Sequence, residues 1–548
     1  MVRRILPLLL LLLAGSALLG YEAWHLGMTA DEPSHLAASC AWWMGADVLR
    51  PSDTPPLTRM ISGWVPRAMG IRLRRDTAEW RSRNAYDVGA RLIGGLEPTR
   101  AQRFLFAMRL PFIIFPLLIA FLLWRWGSEL FGERIGLVLA TCGVLEPTIL
   151  GHGALIKSDV PAAFGAFWFA YTAWRYWLRP DLQRLVLMAL SLIVATLTKF
   201  TLLPLIGVAL VLALWRGPRL AGILIIVPAF YLATLAAYQF QAVPVGEAEL
   251  AGFVPAGIPE VLMPVATMLA KLPWPTQYVH GLLYILGSLH GPGFNGYMLG
   301  HRITGMVPAY YPLAWAVKFP IPLQVLTIAA AVALVLRIRH NEVGAAEVLI
   351  WGSSMLYFGS AVFSSFHIGF RHVLPALPFF ILAGGFALAR WATDRSCVIL
   401  VAICIAWLAV SSLHAYPQGI SYFNEWIGGP KNGWIYLADS NVDWGQNLPE
   451  LARFMQDHHI PRVKTFLFGL DAPGRYLKPG SWEPQPWPYA VGVVPERCLR
   501  PASGIYAISV NALTGFLAPV EYENYFADFR DREPIGRAGY GIRVYEVK

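Results

Sequence analysis

Long apolar runs recur along the chain, beginning near Ile5, Phe104, Ile135, Val160, Leu185, Thr201, Leu220, Leu313, Val348, Val373 and Ser396. A helix that crosses a bilayer needs roughly 20 mainly apolar residues, and these runs meet or approach that length. Each predicts a membrane-spanning helix, for about eleven spans in all. Basic residues fall in alternate gaps: Arg3 and Arg4; Arg125 and Arg134; Arg175, Arg179 and Arg184; Arg216 and Arg219; Arg337 and Arg339; Arg390 and Arg395. Placing all of these groups in the cytoplasm gives one consistent topology, with an odd number of spans and the C-terminus outside. The first run, Ile5 to Trp24, has the charged start and apolar core of a secretory signal, with small residues at Ala14 to Ala17. It is expected to remain as an uncleaved anchor helix.

Two long segments then lie outside. The first, about 22–103, is polar and rich in Arg; the second, about 241–311, contains GLLYILGSL at 281–289, too short to span and suited to an interfacial or re-entrant helix. After about Tyr416 the pattern changes. Gly, Pro and Asn turns separate the β-like runs VKTFLFGL, GIYAISV and GIRVYEV. The expected architecture is a polytopic α-helical membrane protein. Its membrane module covers 1–415, and a small C-terminal α+β domain on the periplasmic side covers 416–548.

Composition agrees. The chain is 56% hydrophobic and 14% charged, with a mean hydropathy of +0.49, whereas a soluble protein is charged at roughly 25% of positions. The net charge of +10 is distributed between apolar runs rather than gathered in one basic domain, which excludes nucleic acid as a partner and leaves membrane lipids. Among the cysteines, only Cys40 and Cys498 fall outside in this topology; they are either a disulfide pair or, the favoured reading, two unpaired thiols. No CxxC or Cys/His spacing marks a zinc site.

The chemistry-bearing residues gather where the chain emerges on the outer side. DEPSHLAASCAWWMG opens the first loop, with Asp31 and Glu32 before Pro33. Pro suits the first position of a helix and an acidic residue suits its cap, so one reading is a capped loop helix. The other is a carboxylate held at the membrane surface as a general base. Local physics alone favours the cap; the polar residues of the next outer loop favour the base. That loop, EPTILGHGALIKSDVPAAF, crowds Glu146, His152, Lys157 and Asp159 between two spans, where ionisable groups are costly and tend to be functional. Asp159 could equally cap the fourth span, and His152 suits a satisfied interfacial histidine. Lys199 in ATLTKF, His367, Arg371 and His372 in HIGFRH, and Lys318 in VKFPIP are cations on the side that the positive-inside rule disfavours. An anionic lipid phosphate would account for them.

These segments resemble the GT-C superfamily of glycosyltransferases related to the protein O-mannosyltransferases (glycosyltransferase family 39). DEPSHLAASCAWWMGADVLRPSDTPPL is similar to the family's first-loop signature, in which an acidic residue or pair is followed by a His, here His35. HGALIKSDVPAAF resembles the second-loop motif. TLTKF, YYPLAWAVKFPIP and FRHVLPALPFF are similar to later landmarks, and SYFNEWIGGPKNGWIYLADSNVDWGQNLPELARFM resembles a bacterial subgroup. The stretch before Pro-Pro-Leu often carries His in the family; here it reads Asp53, Thr54, Pro55, Pro56.

The resemblance implies transfer of a sugar from a polyprenyl-phosphate carrier to a lipid, glycan or protein acceptor, at the outer face of a bacterial inner membrane. It implies Asp31 as base with Glu32 as partner or substitute, and Asp159 orienting the acceptor or helping to hold a divalent cation. Lys199, Arg371 and Lys318 would stabilise the phosphate. His35, His152 and His372 are candidate substrate contacts. Asn441, Asp443, Trp444 and Gln446 either bind carbohydrate or form a connector that packs the C-terminal domain onto the membrane part. Some relatives use a divalent metal, but no ligand spacing for one is readable here. The alternatives are a ligase or polymerase using diphosphate-linked glycans, a transporter or flippase, and a receptor acting through its C-terminal domain. Against the transporter, the polar residues sit at the outer rim rather than the midplane.

Overall fold

A computed structural model describes residues 2–45, 49, 54–217, 219–241, 273–290, 294–391, 395–489 and 497–548. Asp53 and residues 242–272 and 291–293 of the second expected loop lie outside the described residues.

Seven helices among the described residues are long and apolar enough to cross a membrane: Ile5–His25, Pro98–Phe131, Leu220–Ala237, Ile321–Arg339, Ala345–Val362, Phe370–Trp391 and Val398–Ala415. The pair Glu133–Leu145 and Pro147–Gly153, bent by 58°, makes an eighth if counted as one span. Helices also stand at the remaining expected starts, Asp159–Leu178, Leu182–Thr196 and Leu205–Arg216. The first of these is diluted by Trp, Tyr, Asp159 and Arg175, and the other two are short. Length and composition therefore give seven to eight spans where the apolar runs suggest about eleven.

Prolines set the breaks at one end of the helix bundle. Glu146 precedes Pro147, is held extended (φ −68°, ψ 114°), and caps the next helix by accepting from the Ile149 amide at 2.6 Å. Beyond that bend, the Ile156 amide donates to Glu32 and Lys157 to Asp31. Likewise the run expected to start a span near Leu313 divides: a helix Tyr310–Lys318 ends at extended Phe319, and the span begins only at Ile321, next to Pro320 and Pro322.

The first loop is mostly helical. Its helix Glu32–Trp43 lies against Ala85–Gly94 so closely that a Cβ at Gly89 would sit 1.9 Å from the Pro33 carbonyl oxygen, which only glycine allows. GLLYILGSL falls within the helix Thr276–His290, and two short strands follow, β1 (Gly296–Met298) and β2 (His301–Ile303), paired antiparallel.

The C-terminal α+β domain holds a five-stranded mixed sheet. Its strands are β3 (Val463–Phe466), β4 (Trp482–Pro484), β5 (Gly504–Ser509), β6 (Gly536–Ala538) and β7 (Ile542–Val547), in the order β4-β3-β5-β7-β6. All three β-like runs of the sequence are strands of it. β3 pairs parallel with β4 and β5, and β7 antiparallel with β5 and β6. Between the last span and this sheet, residues 416–447 pack on the membrane helices. The Asn424 amide donates to the Val317 carbonyl, and the backbones of Gly27 and Ala30 donate to the carbonyls of Gln446 and Trp444 at 2.9 and 2.7 Å. Cys40 and Cys498 are both free thiols.

Candidate active site

The apolar-to-polar transitions of several helices converge on one cavity of about 720 Å³, a size typical of small-molecule sites. Its ionic pole is built by four chain segments. Asp31 stands just before the first loop helix, Lys157 and Asp159 lie where the second loop enters Asp159–Leu178, and Lys199 and Arg371 come from later turns.

Neither acidic residue acts as a helix cap. Asp31 makes no side-chain cap bond, and Asp159 is the first residue of its helix, behind Ser158. Their carboxylates face cations instead. Lys157 donates to Asp31. Lys199 donates to Asp159 at 2.6 Å, and Lys157 lies 3.9 Å from it. The Arg371 guanidinium reaches both carboxylates, at 3.5 Å each. Three cations thus surround two anions, and a third carboxyl, Asp439, also feels Arg371 while burial holds its pKa up at about 6. The carboxylates differ in access: the Asp31 side chain is 23% exposed and Asp159 only 2%. Asp31 is therefore the more accessible of the two, and it also accepts a hydrogen bond from Tyr86 at 3.4 Å. Burial alone would raise the Asp31 pKa, but Lys157 and Arg371 hold the carboxyl well below the usual carboxylate range. His35 and His372 line the same cavity; burial and Lys157 push His35 down to about 3, so its ring is neutral.

The C-terminal segment completes this pole. Lys157 Nζ and Arg371 Cζ lie 4.0 and 4.2 Å from the centroid of the Trp444 ring, within cation–π range. Arg371 Nε donates to Ser440 Oγ at 3.0 Å, and Ser440 in turn donates to the Ile368 carbonyl. Gly369 permits that approach: at φ +150° it leaves space where a Cβ would lie 2.1 Å from Ser440 Oγ.

Much of the remaining cavity wall is apolar, formed by Leu203, Pro204, Leu282, Ile285, Leu286 and Ala361 among others. The cavity thus combines a cluster of charged side chains with an apolar lining.

Other expected site residues are placed elsewhere. Glu32 is fully buried in a two-pronged pair with Arg109, at 2.8 and 2.6 Å, and also accepts from the amides of Thr29 and Ile156. It ties the Asp31 loop to the Lys157 loop and has no free lone pair facing the cavity. Lys318 is buried and donates to the carbonyls of Ile420 and Asn441 at 3.0 and 2.6 Å, which fastens the C-terminal segment to the helix Tyr310–Lys318. His152 is buried beside the Trp444 ring, away from the cavity lining. Asn441 bonds the Phe370 amide, the Tyr310 hydroxyl and the Ala438 carbonyl. Gln446 accepts from the Trp444 amide and donates to Ser421 and Val442. Lys157 and Tyr86, given no role by sequence, line the cavity. Lys157 carried the same signal as Lys199, a cation on the disfavoured side; Tyr86 carried none.

The donor set does not suit a divalent cation. Asp31 and Asp159 are both engaged by Lys or Arg, and no group of three His, Cys, Asp or Glu gathers among the described residues.

Asp443 is buried under the sheet, accepting from Ser509 and from the Gly445 amide at 2.9 Å. Burial pushes its pKa up to about 7, against about 3.9 in an unfolded chain. Its contribution to stability is full below about pH 4 and is lost as pH climbs through about 7. Asp443→Asn removes that dependence and should unfold at a higher temperature than the parent at pH 8, with the gap closing at pH 5. Thermal unfolding at the two pH values checks this, and no gain at pH 8 refutes it.

A family model described as dolichyl-phosphate-mannose-protein mannosyltransferase matches residues 102–243. The matched segment includes Lys157, Asp159 and Lys199 but neither Asp31 nor Arg371. No curated protein matches. Among solved structures, ArnT from Cupriavidus metallidurans bound to undecaprenyl phosphate aligns over 98% of this chain and 97% of that one, at 13% identity and a TM-score of 0.46. Its apo state covers the same shares at 12% identity and a TM-score of 0.42. The Archaeoglobus fulgidus oligosaccharyltransferase aligns over 82% of this chain and 57% of that one, at 11% identity and a TM-score of 0.39.

Proposed function

We propose that the chain is a membrane glycosyltransferase that moves a sugar from a polyprenyl-phosphate carrier to an acceptor hydroxyl at the outer face of a bacterial inner membrane, with Asp31 as base. One observation carries the reading: an accessible carboxylate stands among three cations at the head of an apolar cleft. The family match over 102–243 supports it.

The chemistry follows from the charges. The acceptor oxygen attacks the anomeric carbon, its proton passes to Asp31, and the bond from that carbon to the phosphate oxygen breaks. The phosphate enters as a monoanionic diester and leaves as a monoester carrying further negative charge. Fixed cations therefore bind the departing group more strongly than the starting one, which lowers the barrier. Lys157, Lys199 and Arg371 are those cations. The prenyl chain lies along Leu282, Ile285 and Leu286.

Binding of a panel of polyprenyl-phosphate sugars to the protein in nanodiscs tests the reading, with bare polyprenyl phosphate and a diphosphate-linked glycan as comparisons. Preference for one monophosphate sugar supports it. Binding of the diphosphate glycan alone would move the assignment to a ligase, and binding of none would sink it. Lys199→Ala should weaken donor binding about tenfold, the size of one charge-assisted contact. Unchanged affinity would remove Lys199 from the phosphate site.

A further inference from the structure

The helix Asp159–Leu178 carries Asp159 at one end and Arg175 near the other, about 24 Å apart at 1.5 Å per residue. At that far end, on the side of the bundle opposite the catalytic cavity, lies a second cavity of about 190 Å³ lined by Tyr171, Thr172, Arg175, Gln183, Arg184 and Leu187.

Its charge is unbalanced. Arg175 shares Glu129 with Arg125, at 3.1 and 2.6 Å, and Arg184 and Arg179 share Asp181. Four guanidinium groups therefore meet two carboxylates. The exposed Gln183 amide has no hydrogen-bond partner among the described residues. Beside this polar corner the helix Leu182–Thr196 turns Val186, Leu187 and Leu190 outward. A cationic corner opening onto an exposed apolar stripe matches a headgroup with tails. A cavity of this size accommodates a phosphate and glycerol. The basic groups also fall on the face that the positive-inside rule assigns to the cytoplasm, where anionic lipids concentrate.

We propose that this cavity binds the headgroup phosphate of an anionic phospholipid of the cytoplasmic leaflet, through Arg175, Arg184 and Gln183, with its tails along Val186, Leu187 and Leu190. The site is separate from the catalytic cavity and does not depend on the transferase assignment.

The test is thermal unfolding of the full chain in neutral detergent with added phosphatidylglycerol, phosphatidylcholine or inorganic phosphate. Phosphatidylglycerol should raise the midpoint by roughly 2–4 °C, and the other two by less than about 1 °C. Gln183→Glu adds a like charge at an exposed position that supports no fold contact, and should abolish the phosphatidylglycerol shift; Arg184→Gln should do the same. Lys199→Ala, at the other cavity, should leave it intact. Equal shifts from the two lipids overturn the proposal, and so does a full shift from inorganic phosphate. Retention of the shift in both Gln183→Glu and Arg184→Gln overturns it as well. Loss in Lys199→Ala with retention in Gln183→Glu would place the lipid in the catalytic cavity and equally overturn it.

Discussion

Asp31→Asn should lower the transfer rate by about 10²–10⁴-fold while leaving donor affinity unchanged or tighter. The asparagine fills the same space and keeps an acceptor for Tyr86, so the loss is that of a proton acceptor rather than of shape. Removing the anion also frees Lys157 and Arg371, which now compensate Asp31, to meet the donor phosphate. A variant that binds the donor and turns over at near-parental rate would take Asp31 out of the mechanism. The parent enzyme offers a second readout. Without donor, Lys157 and Arg371 keep Asp31 ionised far into acid. A bound phosphate that shares those cations must raise the Asp31 pKa. The acid limb of kcat, which reports the donor-bound enzyme, should therefore lie at higher pH than that of kcat/KM, which reports the free enzyme. Coincident limbs would argue against a base that shares its cations with the donor.

Arg371→Gln is expected to have the other large effect, about 10²–10³-fold on transfer together with a loss of donor affinity. One guanidinium touches Asp31, Asp159, Ser440 and the Trp444 ring. Without it, the departing phosphate loses one of its cations and buried Asp159 keeps only the two lysines. Arg371→Lys restores the charge but not the planar fork that reaches two carboxylates at once, and should recover little activity. Steady-state kcat and KM for the pair decide the matter: parental activity in Arg371→Lys would show that charge alone suffices.

Much of this site was legible in the sequence, and for a physical reason. A charged residue beside an apolar run is expensive, so Asp31, Asp159, Lys199 and Arg371 stood out by position alone, and the structure brings all of them to one cavity. Direction was not legible. Asp31 and Glu32 are neighbours at a helix start, where successive side chains diverge by about 100°. One faces the cavity and the other faces Arg109, and nothing in DEP distinguishes them. Lys318 carried the same signal as Lys199, yet its partners are two carbonyls about a hundred residues away, Ile420 and Asn441. The three strands with alternating or continuous β-branched and aromatic residues were readable, but β4 and β6, each only a few residues long, were not. Helices stand at the expected starts that length and composition do not count as spans, because Asp159–Leu178 is diluted by polar and aromatic residues and the other two are short.

The Trp444 platform has a consequence for how the protein is made. Trp444 and Ser440 follow the last membrane helix, which ends at Ala415, yet they hold Lys157 and Arg371 in place. A chain synthesised and inserted from its N-terminus therefore has all its membrane helices before it has a finished charge cluster. Until the final stretch folds back, the nascent protein sits in the bilayer with Lys157 and Arg371 lacking the ring and hydroxyl that hold them.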